Sequence, residues 1–198
     1  MLKDLPDQKL RHLFDIIDFD HNGLLVKSDF YDLADNIDIF VTILDGGSIH
    51  SSLRSDVDLI WKTIQDHFEN PSLNAINKEQ WLEFMESHFC GDDTSRVSNN
   101  IERIVTRVRS IFDENKDGKL SKKEFMVIFV SLRVQVRHAY KCFEEIDTNK
   151  DGYISDAELA TATKQFFRSD NGDDCGNGLF GLIGSTHFTT KHSISHTW

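Results

Sequence analysis

A twelve-residue pattern occurs three times in this chain, and it constrains the fold more than any other feature. It reads DFDHNGLLVKSD at 18–29, DENKDGKLSKKE at 113–124 and DTNKDGYISDAE at 147–158. Each copy alternates oxygen-bearing side chains with fillers over its first five positions. A glycine follows (Gly23, Gly118, Gly152), then an aliphatic residue two places on (Leu25, Leu120, Ile154). An acid closes each copy (Asp29, Glu124, Glu158), and the next residue is apolar again: Phe30, Phe125, Leu159. Repetition at this scale marks one supersecondary unit used several times.

The flanks of each copy carry helical spacing. Before the copies stand Leu10, Leu13, Phe14 and Ile17; then Ile101, Ile104, Val105, Val108 and Phe112; then Val136, Ala139, Tyr140, Phe143 and Ile146. After them stand Phe30, Leu33, Ala34 and Ile37; then Phe125, Ile128, Phe129 and Leu132; then Leu159, Ala162, Phe166 and Phe167. Each unit therefore reads as helix, loop, helix. Only two prolines, Pro6 and Pro71, interrupt the chain.

The residue types at these offsets fit a hard divalent cation, which takes six to eight oxygens at about 2.3–2.6 Å. Positions 1, 3 and 5 supply side-chain oxygens: Asp18, Asp20 and Asn22; Asp113, Asn115 and Asp117; Asp147, Asn149 and Asp151. Position 6 turns sharply, which suits glycine. Position 7 supplies a backbone carbonyl, from Leu24, Lys119 and Tyr153. Ser121 and Ser155 at position 9 can hold a water, and Glu124 and Glu158 close the shell with two oxygens. A polar surface turn would not require a distal glutamate at fixed register. The first copy departs twice: Val26 replaces the serine, and Asp29 is one methylene shorter than glutamate. A shorter acid reaching with one oxygen favours six-coordination, so this site is expected to lean towards Mg²⁺.

Such loops pair through their position 8, and an isolated two-stranded contact needs helices to pack on. The copies at 113–124 and 147–158 pair with each other. The first copy needs a mate, and DHFENPSLNAINKEQWLEFM at 66–85 is the candidate. There Ile76 takes the role of Leu25 and Trp81 that of Phe30. Gln80 falls at the closing position, Pro71 and Leu73 stand where acids belong, and Asn74 replaces the glycine. This unit keeps the packing residues and lacks the ligands. Its upstream helix reads as Ser48 for a cap, then Leu53, Val57, Ile60, Trp61, Ile64 and Phe68. Downstream come Trp81, Phe84, Met85 and Phe89.

The organisation expected is an N-terminal pair over 1–92, a C-terminal pair over 93–168, and an irregular tail over 169–198. FCGDDTSRVSNN at 89–100 marks the boundary between the pairs, and the tail carries an apolar LFG plug at 179–181. His187, His192 and His196 in the tail are read as solvated.

Lys and Arg number 22 against 33 Asp and Glu, a formal charge of −11. That argues against nucleic acid as a partner and suits cation binding. Three separated cysteines, Cys90, Cys142 and Cys175, give no disulfide frame or zinc pattern and read as free thiols. The longest apolar runs are far short of the roughly 20 residues that span a bilayer. Without a leader-like opening, and with Leu2 rather than Gly second, a cytoplasmic monomer is expected.

Together the four units resemble the EF-hand superfamily over residues 6–168. Within it, the length, the degenerate second unit, EQWLEFM after it and GNGLFG behind the last helix are similar to invertebrate sarcoplasmic calcium-binding proteins and calexcitin. The resemblance implies an all-α fold with four EF-hand units in two facing pairs and short β contacts between paired loops. It implies Ca²⁺ at three sites, with Ca²⁺ and Mg²⁺ buffering or compact calcium signalling, and no enzymatic activity. An intact last loop departs from calexcitin, and the His-rich extension past Gly184 fits neither group. One alternative is a sensor that opens a groove for a protein target, although only three methionines against fifteen Phe suit a rigid interior better. The other is a luciferin-holding photoprotein, whose cavity Trp61, Trp81, Tyr140, His67 and His88 would line; core packing is the plainer role for these residues.

Overall fold

The structure is a computed structural model that describes residues 3–45, 49–181 and 183. Its helices are α1 (Asp4–Ile17), α2 (Lys27–Asp45), α3 (His50–His67), α4 (Lys78–Met85), α5 (Thr94–Phe112), α6 (Lys122–Ser131), α7 (Ala139–Ile146) and α8 (Asp156–Arg168). Four short strands lie between them: β1 (Leu24–Val26), β2 (Ala75–Asn77), β3 (Leu120–Ser121) and β4 (Tyr153–Ile154). We call the intervening loops I (18–29), II (69–80), III (113–124) and IV (147–158).

The strands pair antiparallel, β1 with β2 and β3 with β4. Leu25 faces Ile76, and Leu120 faces Ile154. These four side chains are almost wholly buried. Each ladder is thus pinned by its eighth-position aliphatics to the helices beneath, which two or three residues of strand could not manage alone.

Aromatic rings dominate the core. Phe14, Phe125, Phe129, Phe143, Phe166 and Phe167 are among the largest fully buried side chains. Phe125 meets Phe129 and Phe143, and Phe166 meets Phe167 edge-on. The two pairs do not stand apart: α2 packs on α6, α5 on α8, and α1 on both α4 and α8. Two side chains assigned to apolar stripes in the sequence lie out of the core. Ile60 and Tyr140 are exposed, and the Tyr140 ring sits 5.4 Å from the Lys122 ammonium.

The stretch between the pairs is tighter than its polar composition suggests. After α4 the chain makes one π turn over Glu86–Cys90. Asp93 then caps α5 by accepting the Arg96 N–H at 3.0 Å, so 94–100 is helical. Ser48, read from the sequence as the α3 cap, lies outside the described residues, as do His187, His192 and His196.

The segment after α8 returns to the body. Residues 175–178 form a 3₁₀ turn, Leu179 is buried, and the Phe180 ring meets Phe166 at 4.8 Å. Lys9, fully buried on α1, binds it: its ammonium donates to the carbonyls of Gln165 (2.9 Å) and Ser169 (2.8 Å) and to Asn177 Oδ1 (3.0 Å). One turn on, buried His12 shares a hydrogen bond with the Phe180 carbonyl at 3.1 Å. Among the described residues no helix is long and apolar enough to cross a membrane.

Candidate metal centres

Loops I, III and IV share one hydrogen-bond design. The first-position aspartates, Asp18, Asp113 and Asp147, stand buried where their entering helices end. One carboxylate oxygen accepts the fifth-position N–H at 3.2, 3.1 and 3.2 Å. The other accepts the glycine N–H at 2.9, 2.9 and 3.0 Å. Asp20, Asn115 and Asn149 accept the same fifth-position N–H. Asn22, Asp117 and Asp151 accept the N–H of Leu24, Lys119 and Tyr153 at 2.8, 2.9 and 2.9 Å.

The backbone that permits this is left-handed twice. Position 4 has φ of 54° at His21 and 57° at both Lys116 and Lys150; position 6 has φ of 79°, 84° and 85° at its glycines. A non-glycine residue in that region costs of order 1 kcal/mol, so the side-chain bonds must hold the coil in place. An ionised carboxylate has about four lone-pair directions, and one or two backbone bonds leave it able to accept more.

The closing acids separate loop I from the others. Glu124 spans its loop, accepting Glu114 N–H at 2.8 Å with one oxygen and Ser121 N–H at 2.7 Å with the other. Glu158 does likewise with Thr148 N–H at 3.0 Å and Ser155 N–H at 2.9 Å. Ser121 and Ser155 also cap α6 and α8, and the two glutamates are the third helical residues of complete capping boxes. Burial works to raise the Glu158 carboxyl, but the bonds from Ser155 and Thr148 outweigh it and hold it at about 2. Asp29 accepts only the Val26 N–H, at 2.7 Å. One methylene short, it does not reach the second position, and burial together with Asp20 and Asp18 pushes its carboxyl upward.

The donor set tests the fit to a metal. Every candidate ligand in the three loops offers oxygen, from carboxylate, amide or carbonyl, the set a hard cation such as Ca²⁺ requires. Among the described residues no three carboxylate, imidazole or thiol groups converge on one point. Each loop sets carboxamide and main-chain oxygens beside its acids and holds its closing acid in backbone bonds. The sequence-assigned residues are therefore brought to one coil in each loop, with the twelfth-position carboxylate still turned to peptide N–H groups.

Loop II lacks that coil. Neither Ser72 nor Asn74 is left-handed; only Glu69 is, at φ 49°. Gln65 of α3 fills the space, its amide donating to the carbonyls of Pro71 and Leu73, each at 3.0 Å. An N–H donor thus occupies two of this loop's main-chain oxygens. Asn77 and Gln80 make the same capping box in uncharged form. Reading the loop in register could not find Gln65, because it lies in the preceding helix.

Comparison with known proteins gives this geometry a family. The family described as EF hand matches residues 110–130 and 140–162, and the EF-hand domain pair matches 1–37. Loops I, III and IV thus each lie within a stretch that matches an EF-hand model. Calerythrin of Saccharopolyspora erythraea is 24% identical over 162 residues, covering 82% of this chain and 92% of that protein. The amphioxus sarcoplasmic calcium-binding protein superposes with a TM-score of 0.64 and 18% identity, over 92% of this chain and 99% of its own. Okadaic acid binding protein 2.1 superposes with a TM-score of 0.72 and 14% identity, over 92% and 98%. The all-α arrangement of paired helix–loop–helix units is therefore that of the sarcoplasmic calcium-binding protein fold.

Proposed function

We propose that the chain holds three divalent cations, in loops I, III and IV, and acts as a Ca²⁺ and Mg²⁺ buffer or a compact calcium-signalling protein. The supporting observation is the repeated design: three loops, far apart in sequence, share the same Asx bonds and the same two left-handed positions. Asp18, Asp20, Asn22, Asp29 and the Leu24 carbonyl would hold the first ion. Asp113, Asn115, Asp117, Glu124 and the Lys119 carbonyl would hold the second. Asp147, Asn149, Asp151, Glu158 and the Tyr153 carbonyl would hold the third. The ion supplies charge neutralisation to three carboxylates in each loop, taking the formal charge from −11 to about −5. Loop II has no part in this and serves as the strand partner of loop I.

Loop I is the Mg²⁺-leaning site, supported by the single hydrogen bond and limited reach of Asp29. The rigid aromatic interior favours a buffer over a sensor that opens a groove. We divide the chain at 1–92, 93–168 and 169–198 and take it as a monomer. Free thiols at Cys90, Cys142 and Cys175, with Cys90 and Cys142 pushed up to about 11 by burial, suit a reducing cytoplasm. Calorimetric Ca²⁺ titration with and without millimolar Mg²⁺ tests the reading. Three sites are expected, one of them most displaced by Mg²⁺; fewer than three sites, or equal competition at all, overturns it.

A further inference from the structure

The two C-terminal loops carry very different charge. Loop III has four lysines, Lys116, Lys119, Lys122 and Lys123, and loop IV has one, Lys150. Three of the loop III lysines have placed partners. Lys123 pairs with Glu114 inside its own loop at 2.9 Å, and Lys122 reaches Glu144 on α7 at 3.4 Å. Lys119 crosses to the other loop: its ammonium lies 3.0 Å from Asp151 Oδ2 and 5.2 Å from the centre of the Tyr153 ring.

The contact falls on a particular atom. Asp151 Oδ1 accepts the Tyr153 N–H, and Lys119 takes Oδ2, the oxygen more open to an ion. At the matching place in loop III, Asp117 Oδ2 meets only the neutral amide of Asn115, at 2.9 Å. Lys119 stands one residue before β3, whose Ser121 faces Tyr153 across the β3–β4 ladder. Lys119 also gives loop III its seventh-position carbonyl, so a side-chain change leaves that backbone oxygen where it is.

We propose that Lys119 is a tethered cation that competes with the metal ion for Asp151, holding loop IV below the affinity its own oxygens would give. The inference rests on the three-site reading. An incoming divalent ion must displace the ammonium from Oδ2 or bind beside it, and both weaken binding relative to a free carboxylate. The effect is that of a partly exposed ion pair, modest and sensitive to salt.

The test compares the unsubstituted protein with Lys119→Met and Lys123→Met, the second removing equal charge from a lysine paired outside the ligand set. Calcium is titrated while the Gly152 and Gly118 amide resonances report loops IV and III separately. In Lys119→Met, loop IV is expected to bind about two- to fivefold tighter, with the gain shrinking as ionic strength rises. Lys123→Met should give loop IV less than half that change. Unchanged loop IV affinity in Lys119→Met, or an equal gain in Lys123→Met, overturns the inference. A Gly152 resonance that ignores calcium in the unsubstituted protein would instead overturn the three-site reading beneath it.

Discussion

Glu124→Gln separates the structural work of a closing acid from its proposed role as a ligand. In this structure Glu124 is 4% exposed, and its two oxygens accept from Glu114 N–H, Ser121 N–H and the Ser121 hydroxyl at 2.8, 2.7 and 2.6 Å. Glutamine keeps one acceptor oxygen, removes the charge and turns an NH₂ towards a peptide donor at one end of the loop. Bonds to a charged acceptor are worth about 1.5–3 kcal/mol, and an unsatisfied buried donor costs about 1–3 kcal/mol. Part is recovered by rotating the amide towards the Ser121 hydroxyl, so a net loss of about 2 kcal/mol is expected without any metal. In a chain of 198 residues that corresponds to a Tm about 4–8 °C lower in chelator. Adding Ca²⁺ should widen the gap, because the variant loses mass-action stabilisation at one site. The assay is thermal unfolding by circular dichroism in chelator and in millimolar Ca²⁺, with stoichiometry from calorimetry. Equal melting in chelator would refute the bridging role of Glu124; unchanged stoichiometry in Ca²⁺ would refute its place as a ligand.

Three further outcomes follow from contacts elsewhere. His88 and His12 are held below the usual imidazole range, chiefly by burial, and neutral His88 accepts the Arg96 guanidinium at 2.8 Å. The unfolded chain therefore binds protons first, and metal-free stability should fall as pH drops below about 6.5, with His88→Gln flattening the slope. Gly176→Ala would set a methyl 2.2 Å from the Ala162 carbonyl oxygen, and a loss of about 1–3 kcal/mol in denaturant unfolding is expected. Gln65→Ala strips the donor from the Pro71 and Leu73 carbonyls; it should cost about 1–2 kcal/mol in the same assay while calcium stoichiometry stays unchanged.

Much of this molecule is legible in its sequence because the repeat specifies its own environment. An aliphatic residue at position 8 has one place to go, so the facing of Leu25 with Ile76 follows from aligning two loops. The glycines at position 6 announce their left-handed turn. The lysines at position 4 do not, since nothing about Lys116 or Lys150 favours that conformation; the neighbouring aspartates impose it. Tyr140 misleads because helical spacing cannot tell a stripe facing the core from one edge turned to a lysine. Lys9 is hidden for another reason. A lone lysine on an amphipathic helix normally reaches water, and only the carbonyls at the end of α8 and Asn177, more than 150 residues later, give it a reason to be inside.

That buried lysine has a temporal consequence. Helix α1 can dock on α4 early, but its buried polar contacts are complete only once the segment after α8 exists, since Lys9 and His12 find their acceptors there. On a ribosome, synthesis proceeds from the amino end, and contacts this distant in sequence form late. A nascent copy cut short before residue 165 would keep its Lys9 ammonium in water, and that face of α1 would stay uncovered.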